Sequence, residues 1–144
     1  MAREIKFRAK IVMDIEPLAM KKGYWVEGHY YEDLQDGEWC SWIQECNDII
    51  HYKVDKNTLG QFTGLLDKNE KEIYEGDIIR SYDSENNPII HSISWDNKKA
   101  CYVATMLQYP LLGGSIDKGW IDEFEKEVIG NVFDNPELLK GGAE

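Results

Sequence analysis

The residues that most often bind metals are sparse and far apart in this chain. The three histidines are His29, His51 and His91, and the closest cysteines, Cys40 and Cys46, are separated by five residues. Zinc sites usually place paired cysteine or histidine ligands about two to four residues apart. The sequence therefore indicates no zinc site. Because His91 lies in an apolar run, a histidine packed in the core is the better interpretation.

A faint calcium pattern occurs where Asp83, Glu85 and Asn87 alternate along the chain. A calcium loop of the EF-hand type needs a glycine at its sharp turn and a bidentate acid at its end. Pro88 and Ser94 occupy those two positions. We therefore predict a solvent-exposed loop here and no calcium site.

Residues for covalent or acid–base catalysis also lack a supporting pattern. Ser115 follows two glycines, but the segment comes after a proline and not after a buried strand, as a nucleophile elbow requires. Adjacent acids such as Asp122 and Glu123, or Glu125 and Glu127, are typical of a solvated face in an acidic chain. No phosphate-binding glycine loop occurs. We predict no catalytic residue, no cofactor and no metal.

The one feature with binding potential is the basic stripe formed by Lys6, Arg8 and Lys10. It could contact phosphates or an acidic partner. Alternatively, it is an outward strand face whose lysines prevent edge pairing, or it pairs with acids of this chain or a second copy. The last two interpretations are favoured because the whole chain carries a net charge of −11.

The aromatic residues allow a similar pair of interpretations. The five tryptophans could stack on bases or ligands, but aromatic residues at strand positions are more often part of the core. We therefore assign to the core Trp25, Trp39, Trp42, Trp95 and Trp120.

The elements that position these residues are predicted to be strands. Ile5, Phe7, Ala9 and Ile11 alternate with the basic stripe, which indicates a half-buried strand. Further strands are expected at residues 24–31, 39–43 and 47–54, with a hairpin turn at Gln35-Asp36-Gly37-Glu38. Residues 54–60 should form a loop or one helical turn.

Residues 61–80 carry a compact turn-rich motif. Asp67-Lys68-Asn69-Glu70 predicts a turn with Asn69 at positive φ. Gly76 permits a kink between two strand segments, and Asp77 can accept the hydrogen bonds that the kink leaves unpaired. Strands then follow at 89–95, 100–107 and 128–133, with a loop at 108–119, a short helix near 120–126 and a terminal turn at Pro136.

Length and composition limit the class of protein. A chain of 144 residues fits one domain or two small lobes. No apolar run approaches membrane length, and the start of the chain lacks a signal sequence. Three cysteines, an odd number, argue against a disulfide framework. We expect a cytoplasmic protein without membrane contact, and without non-specific nucleic-acid binding because of its acidic charge.

Several segments resemble the YopX family, small proteins encoded by phages and prophages of Gram-positive bacteria. They are the start at residues 3–9, the tryptophan–glycine–tyrosine segment at 24–30, the motif at 61–80 and the ending at 127–139. Two positions depart from the family pattern, namely Lys10 in place of an aromatic and Glu70 in place of a turn glycine. The resemblance implies a mainly β fold with a small barrel, and it gives no indication of a particular biochemical activity.

The fold expected from these observations is mainly β with few short helices. An N-terminal β lobe at residues 1–60 would pack with a small, partly open SH3-like barrel at residues 61–144, or form one continuous domain with it. The leading functional hypothesis is a non-enzymatic phage or prophage accessory protein that acts through protein–protein contact in the bacterial host cell. It would have an unknown protein partner and form a homo-oligomer. The alternative is a nucleic-acid-associated protein of phage replication or regulation.

Overall fold

The computed structural model of the chain describes residues 4–46, 48–110 and 113–140. Residue contacts divide the chain into two compact units, Met1–Phe62 and Thr63–Glu144, whereas the sequence placed a boundary after residue 60. Asn47, where a predicted strand began, and Leu111 and Leu112, within a predicted loop, lie outside the described residues, as does Arg3 of the family-like start. The two units are described separately.

The first unit is a closed ring of four antiparallel strands. They are β1 (Phe7–Ile11), β2 (Trp25–Gln35), β3 (Glu38–Gln44) and β4 (His51–Leu66), of which the last four residues belong to the second unit. Strands β1 and β4 pair directly, so that β1 neighbours both β2 and β4 while β3 joins β2 to β4. A short 3-10 turn, Glu16–Leu18, follows β1 and contains Pro17. The ring encloses a core of Ala9, Ile11, Val26, Ile43, Tyr52 and Val54.

Strand β4 is longer than its sequence suggests. The loop predicted for residues 54–60 is wrong, because β4 runs without interruption from His51 to Leu66. Its pairing with β1 shifts register, with Lys10 opposite Asp55 and Arg8 opposite Gly60. The buried Thr58 hydroxyl accepts the Lys10 N–H at 2.9 Å and donates to the Asp55 carbonyl at 2.7 Å. The polar residues that resemble a turn therefore form a bulge in a continuous strand.

The second unit is built on a five-stranded antiparallel sheet. Its strands are β6 (Asp77–Tyr82), β7 (Pro88–Asp96), β8 (Cys101–Met106), β9 (Gly114–Ser115) and β10 (Glu127–Asn131). They follow the order β10-β6-β7-β8-β9, whereas the short strand β5 (Glu72–Tyr74) neighbours β4. The core of this unit contains Ile73, Ile79, Ile93, Ala104 and Ile121.

The helices are few and short. Helix α1 spans Lys118–Asp122, and the Asp117 carboxylate caps it by accepting the Trp120 N–H at 2.8 Å. It ends earlier than the predicted residue 126 because Glu123 has an extended backbone, and Phe124 and Glu125 then adopt left-handed angles, with φ of 55° and 51°. A final 3-10 turn, Pro136–Leu139, begins at the proline as predicted.

The mainly β fold with a small barrel and few short helices is confirmed. The location of the closed ring differs from the expectation, because ring closure occurs among β1 to β4 of the N-terminal unit. The C-terminal unit, for which the barrel was predicted, has an open strand order. Ring closure depends on the β1–β4 pairing, which joins residues about 50 positions apart and which local patterns do not reveal.

The first turn of the turn-rich motif is ordered by a buried carboxylate. Asp67 accepts the N–H groups of Asn69, Lys71 and Val128 at 2.8 to 2.9 Å. The positive φ of this turn falls on Glu70, at 64°, and not on Asn69 as predicted. One side chain thus joins the turn to strand β10.

The kink predicted later in the same motif is present. Gly76 has a φ of 90° and lies between β5 and β6. Asp77, the first residue of β6, is buried directly after it. The motif therefore turns twice, and each turn has an aspartate side chain buried at it.

Candidate functional site

The basic stripe is half-buried, and each of its cations contacts an aromatic ring. The Arg8 guanidinium carbon lies 4.8 Å from the Trp25 ring centroid, and the Lys10 ammonium lies 5.4 Å from the same ring. The Lys6 ammonium lies 5.4 Å from the Phe62 ring. Because β1 is paired on both sides, the interpretation that its lysines guard a free edge is wrong. These cations instead take part in cation–π contacts.

The contacts of Trp25 determine whether its indole can stack on a nucleic-acid base. Trp25 is the tryptophan nearest the basic stripe, and its indole already contacts two cations of the chain. A nucleic-acid base would have to compete with Arg8 and Lys10 for that ring. The geometry therefore gives little support to a stacking platform on this strand.

A cavity of about 410 Å³ opens beside the stripe and is lined by Lys6, Trp25, Val26, Glu27, Glu45 and Cys46. Gly28 follows the lining residue Glu27, and a Cβ at that position would collide with the carbonyl oxygen of Gln44. The exposed thiol of Cys46 lies 3.8 Å from Nε2 of His29. The glycine of the tryptophan–glycine–tyrosine segment thus has a steric role.

The most exposed tryptophan lies at the end of the β2–β3 hairpin. Trp39 is 72% exposed, and Leu34, which lies directly opposite it across the hairpin, is 58% exposed. The core assignment is therefore wrong for Trp39, and also for Trp95, which is exposed in the second unit. Trp25, Trp42 and Trp120 are half-buried. Alternation along a strand does not distinguish a residue facing the core from one on the same face beyond the end of the core.

The hairpin end forms a two-stranded ribbon, which we define as residues 32–41. Strand β3 pairs with β4 only from Trp42 to Gln44, and β2 pairs with β1 only from Trp25 to Gly28. Among the described residues, the ribbon therefore has strand partners only within the hairpin. Unpaired strand edges and exposed apolar side chains are features that protein partners bind.

The ribbon has a defined conformation. Asp36 and Gly37 both have positive φ, 49° and 83°, as a type I′ hairpin turn requires. At its base, the rings of Tyr31 and Trp42 stack with a centroid distance of 6.4 Å and an interplanar angle of 11°. The Trp42 indole N–H donates to the Asp33 carboxylate at 2.8 Å. These contacts fix the orientation of the ribbon on the first unit.

A belt of polar side chains separates the exposed Leu34 and Trp39 from the core of the first unit. On the face that carries Trp39, the Tyr30 hydroxyl contacts both the Glu32 carboxylate and the Ser41 hydroxyl. The Lys56 ammonium lies 2.9 Å from Glu32 and, with the Tyr30 hydrogen bond, lowers the pKa of that carboxyl. Trp39 and its neighbour Leu34 lie beyond this belt, so they are separate from the core of the ring.

The second unit contains a buried titratable cluster. His91 is buried on β7, as predicted, with its ring perpendicular to that of Trp120 at a centroid distance of 5.3 Å. The buried Lys126 ammonium lies 4.6 Å from the same indole and donates to the carbonyl oxygens of Trp120 and Glu123. Burial, with a contribution from the charge of Lys126, lowers the pKa of His91 to about 4. The cluster fixes the end of α1.

The described residues hold neither a metal cluster nor a membrane helix. No group of three or more histidine, cysteine or acidic residues in 4–46, 48–110 and 113–140 has an arrangement that could hold a metal ion. Within the same ranges, no helix is both long enough and apolar enough to cross a membrane.

Comparison with known proteins identifies one family. The family model described as YopX protein matches residues 6–140, which is nearly the whole chain. A comparison with curated proteins gave no match.

Proposed function

The chain belongs to the YopX family, and we propose that it is a non-enzymatic accessory protein of a phage or prophage that acts through protein–protein contact. In this proposal the contact surface is the exposed end of the ribbon, formed by Leu34 and Trp39. The protein would act in the cytoplasm of the bacterial host.

The observation that carries the proposal is the exposure of Trp39 on an ordered hairpin. Tryptophan is among the residues that most often dominate binding energy at protein interfaces, and truncating such a residue typically weakens binding by about 2 kcal/mol or more. An exposed indole gains most from burial when its backbone is already ordered, because binding then requires little further loss of conformational entropy. The type I′ turn and the Tyr31–Trp42 stack provide that order.

The nucleic-acid alternative has weaker support. The net charge of −11 opposes binding to phosphates, and Arg8 and Lys10 already contact Trp25. Around Trp39, the nearby charged residues of the ribbon are acidic, namely Glu32, Asp33, Asp36 and Glu38. The acidic residues at this end of the hairpin would repel the phosphates next to a base that stacked on the indole.

The experiment that tests the proposal is affinity capture from infected host cells with matched variants. Trp39→Thr removes the indole but keeps a residue that favours strands. Trp95→Thr is the control, because Trp95 is also an exposed strand tryptophan but lies in the second unit. We expect a partner that the wild type and the Trp95 variant retain and the Trp39 variant loses. Equal capture by all three proteins would refute the ribbon as the contact surface.

A further inference from the structure

The charges around the ribbon end indicate the chemistry of the partner, an inference that rests on the proposed function. We propose that the ribbon binds a protein surface that offers an apolar pocket for the Trp39 indole and a rim of lysine or arginine side chains. The ribbon carries four carboxylates, and they differ in whether their side chains have partners within the chain.

Two of the four ribbon acids have side-chain partners within the chain. Glu32 forms a salt bridge with Lys56 at 2.9 Å and accepts a hydrogen bond from Tyr30. Asp33 accepts the Trp42 indole N–H at 2.8 Å and an amide hydrogen of Gln35 at 3.3 Å. These two acids therefore contribute to the structure of the hairpin.

The other two acids are Asp36 and Glu38, and both are exposed. Neither forms a salt bridge with any residue in the part of the chain that the structure describes. Glu38 directly precedes Trp39, and Asp36 lies in the turn between Leu34 and Trp39. Asp36 and Glu38 therefore place two charges without an ion-pair partner among the described residues at the same end of the ribbon as the indole, and these charges attract a partner that carries cations.

The same charges argue against a second copy of the chain as the occupant. Two ribbon ends in contact would bring Asp36 and Glu38 of one copy close to the same acids of the other, and like charges at an interface are unfavourable. The basic stripe is a poor alternative, because Arg8 and Lys10 are already in contact with Trp25. A cationic rim on a different protein is complementary to the ribbon.

A displayed library of random peptides tests this inference even though the natural partner is unidentified. The protein is the bait, and the Trp39→Thr variant serves for counter-selection. Because the variant has the same net charge as the wild type, it also binds peptides that are attracted only by the acidic chain. The counter-selection therefore removes those peptides. We expect the surviving peptides to be enriched in lysine or arginine together with apolar residues.

The selected peptides are then synthesised, and their affinities are measured at low and physiological salt. The double variant Asp36→Asn/Glu38→Gln should weaken binding about fivefold, as expected for two exposed ion pairs, and should reduce the salt dependence. Asparagine preserves the turn, since it tolerates positive φ. The control Glu85→Gln/Glu137→Gln removes the same charge from exposed positions of the second unit and should leave affinity unchanged.

The outcomes separate this inference from the proposed function. Peptides that depend on Trp39 but are neutral or acidic, or whose affinity is the same for the Asp36/Glu38 variant, would overturn the cationic partner and leave the contact surface intact. Failure to obtain any peptide that depends on Trp39 would count against both proposals. A homodimer that is lost in the Trp39 variant would identify a second copy as the occupant and also overturn the inference.

Discussion

The Asp77 carboxylate accepts the backbone N–H of Tyr74 at 2.8 Å, across the kink made by Gly76. Asp77 and Tyr74 are both almost fully buried, so the N–H has no access to water as an alternative partner. This hydrogen bond joins the end of β5 to the start of β6. The geometry of this kink therefore depends on one carboxylate and one glycine, which indicates a structural role for this part of the motif.

Variants of this kink should lose stability. Asp77→Ala leaves the buried Tyr74 N–H without its acceptor and should lower the free energy of unfolding by about 1–3 kcal/mol. Gly76→Val places a branched side chain at a φ of 90°, with its Cβ 3.3 Å from the Phe133 ring. This variant should lower the free energy of unfolding by about 1–3 kcal/mol. Thermal and urea melting measure both effects.

The matched control is Gly114→Val, because a Cβ at Gly114 would meet no atom within 4 Å. That variant should melt close to the wild type. If Gly76→Val and Asp77→Ala melt like the wild type but abolish a partner interaction, the motif is a functional site and the structural account is wrong.

The core beside the kink should be more sensitive. Ile78 and Ile79 are both fully buried, whereas the sequence required burial of only one of them. Ile78→Ala and Ile79→Ala should each lower the free energy of unfolding by about 2–5 kcal/mol, because each leaves a cavity. Equilibrium unfolding in urea checks this, and a loss below about 1 kcal/mol at either site would contradict the burial.

The free energy of unfolding should decrease in acid because His91 binds a proton more readily in the unfolded state. Its pKa is about 4 in the folded state, below the value of about 6.5 for an unfolded chain. Between these two values the unfolded state binds a proton that the folded state does not, so stability decreases as the pH falls from about 6.5 to about 4. The resulting decrease in the free energy of unfolding is at most about 3 kcal/mol.

His91→Phe separates this effect from the titration of carboxylates, since the variant lacks the imidazole. The difference in unfolding free energy between pH 7 and pH 4.5 should be smaller for the variant than for the wild type. Identical pH dependence for the two proteins would show that His91 does not titrate differently in the folded and unfolded states.

The acidic charge predicts no measurable binding to non-specific duplex DNA at physiological salt. An electrophoretic mobility assay at micromolar protein checks this. A shift that weakens as salt increases would support the nucleic-acid alternative. In that case Arg8→Gln should reduce the shift more than Lys118→Gln, a matched change of an exposed cation in the second unit.

Self-association remains a prediction from the presence of strand edges. We expect a homo-oligomer by light scattering at high concentration, and the Trp39→Thr variant should retain it because the acidic ribbon ends repel each other. A monomer mass at every concentration would refute oligomerisation.

Local chemistry made several elements predictable. Asp36-Gly37 specified a hairpin turn, and both residues have positive φ. Gly76 specified the kink for the same reason. The alternation in β1 correctly placed Ala9 and Ile11 in the core of the closed ring, although Ile5 is exposed.

The remaining features depend on contacts between distant residues. The sequence Asp55-Lys56-Asn57 resembles a turn, but pairing with β1 keeps it within β4 as a bulge. The positive φ at Glu70 could not be assigned from residue preference, because Asn69 is the better candidate on local grounds. The exposure of Trp39 follows from where β3 stops pairing with β4, and no local pattern contains that information.

The central claim is that the ribbon end contacts another protein, and photo-crosslinking from position 39 tests it most directly. A photoreactive phenylalanine analogue replaces Trp39 in one protein and the exposed Trp95 in another, and both are irradiated in infected host cells. We predict a discrete crosslinked adduct from position 39 that position 95 does not give. Adducts from position 95 alone, or none from position 39, would contradict the claim.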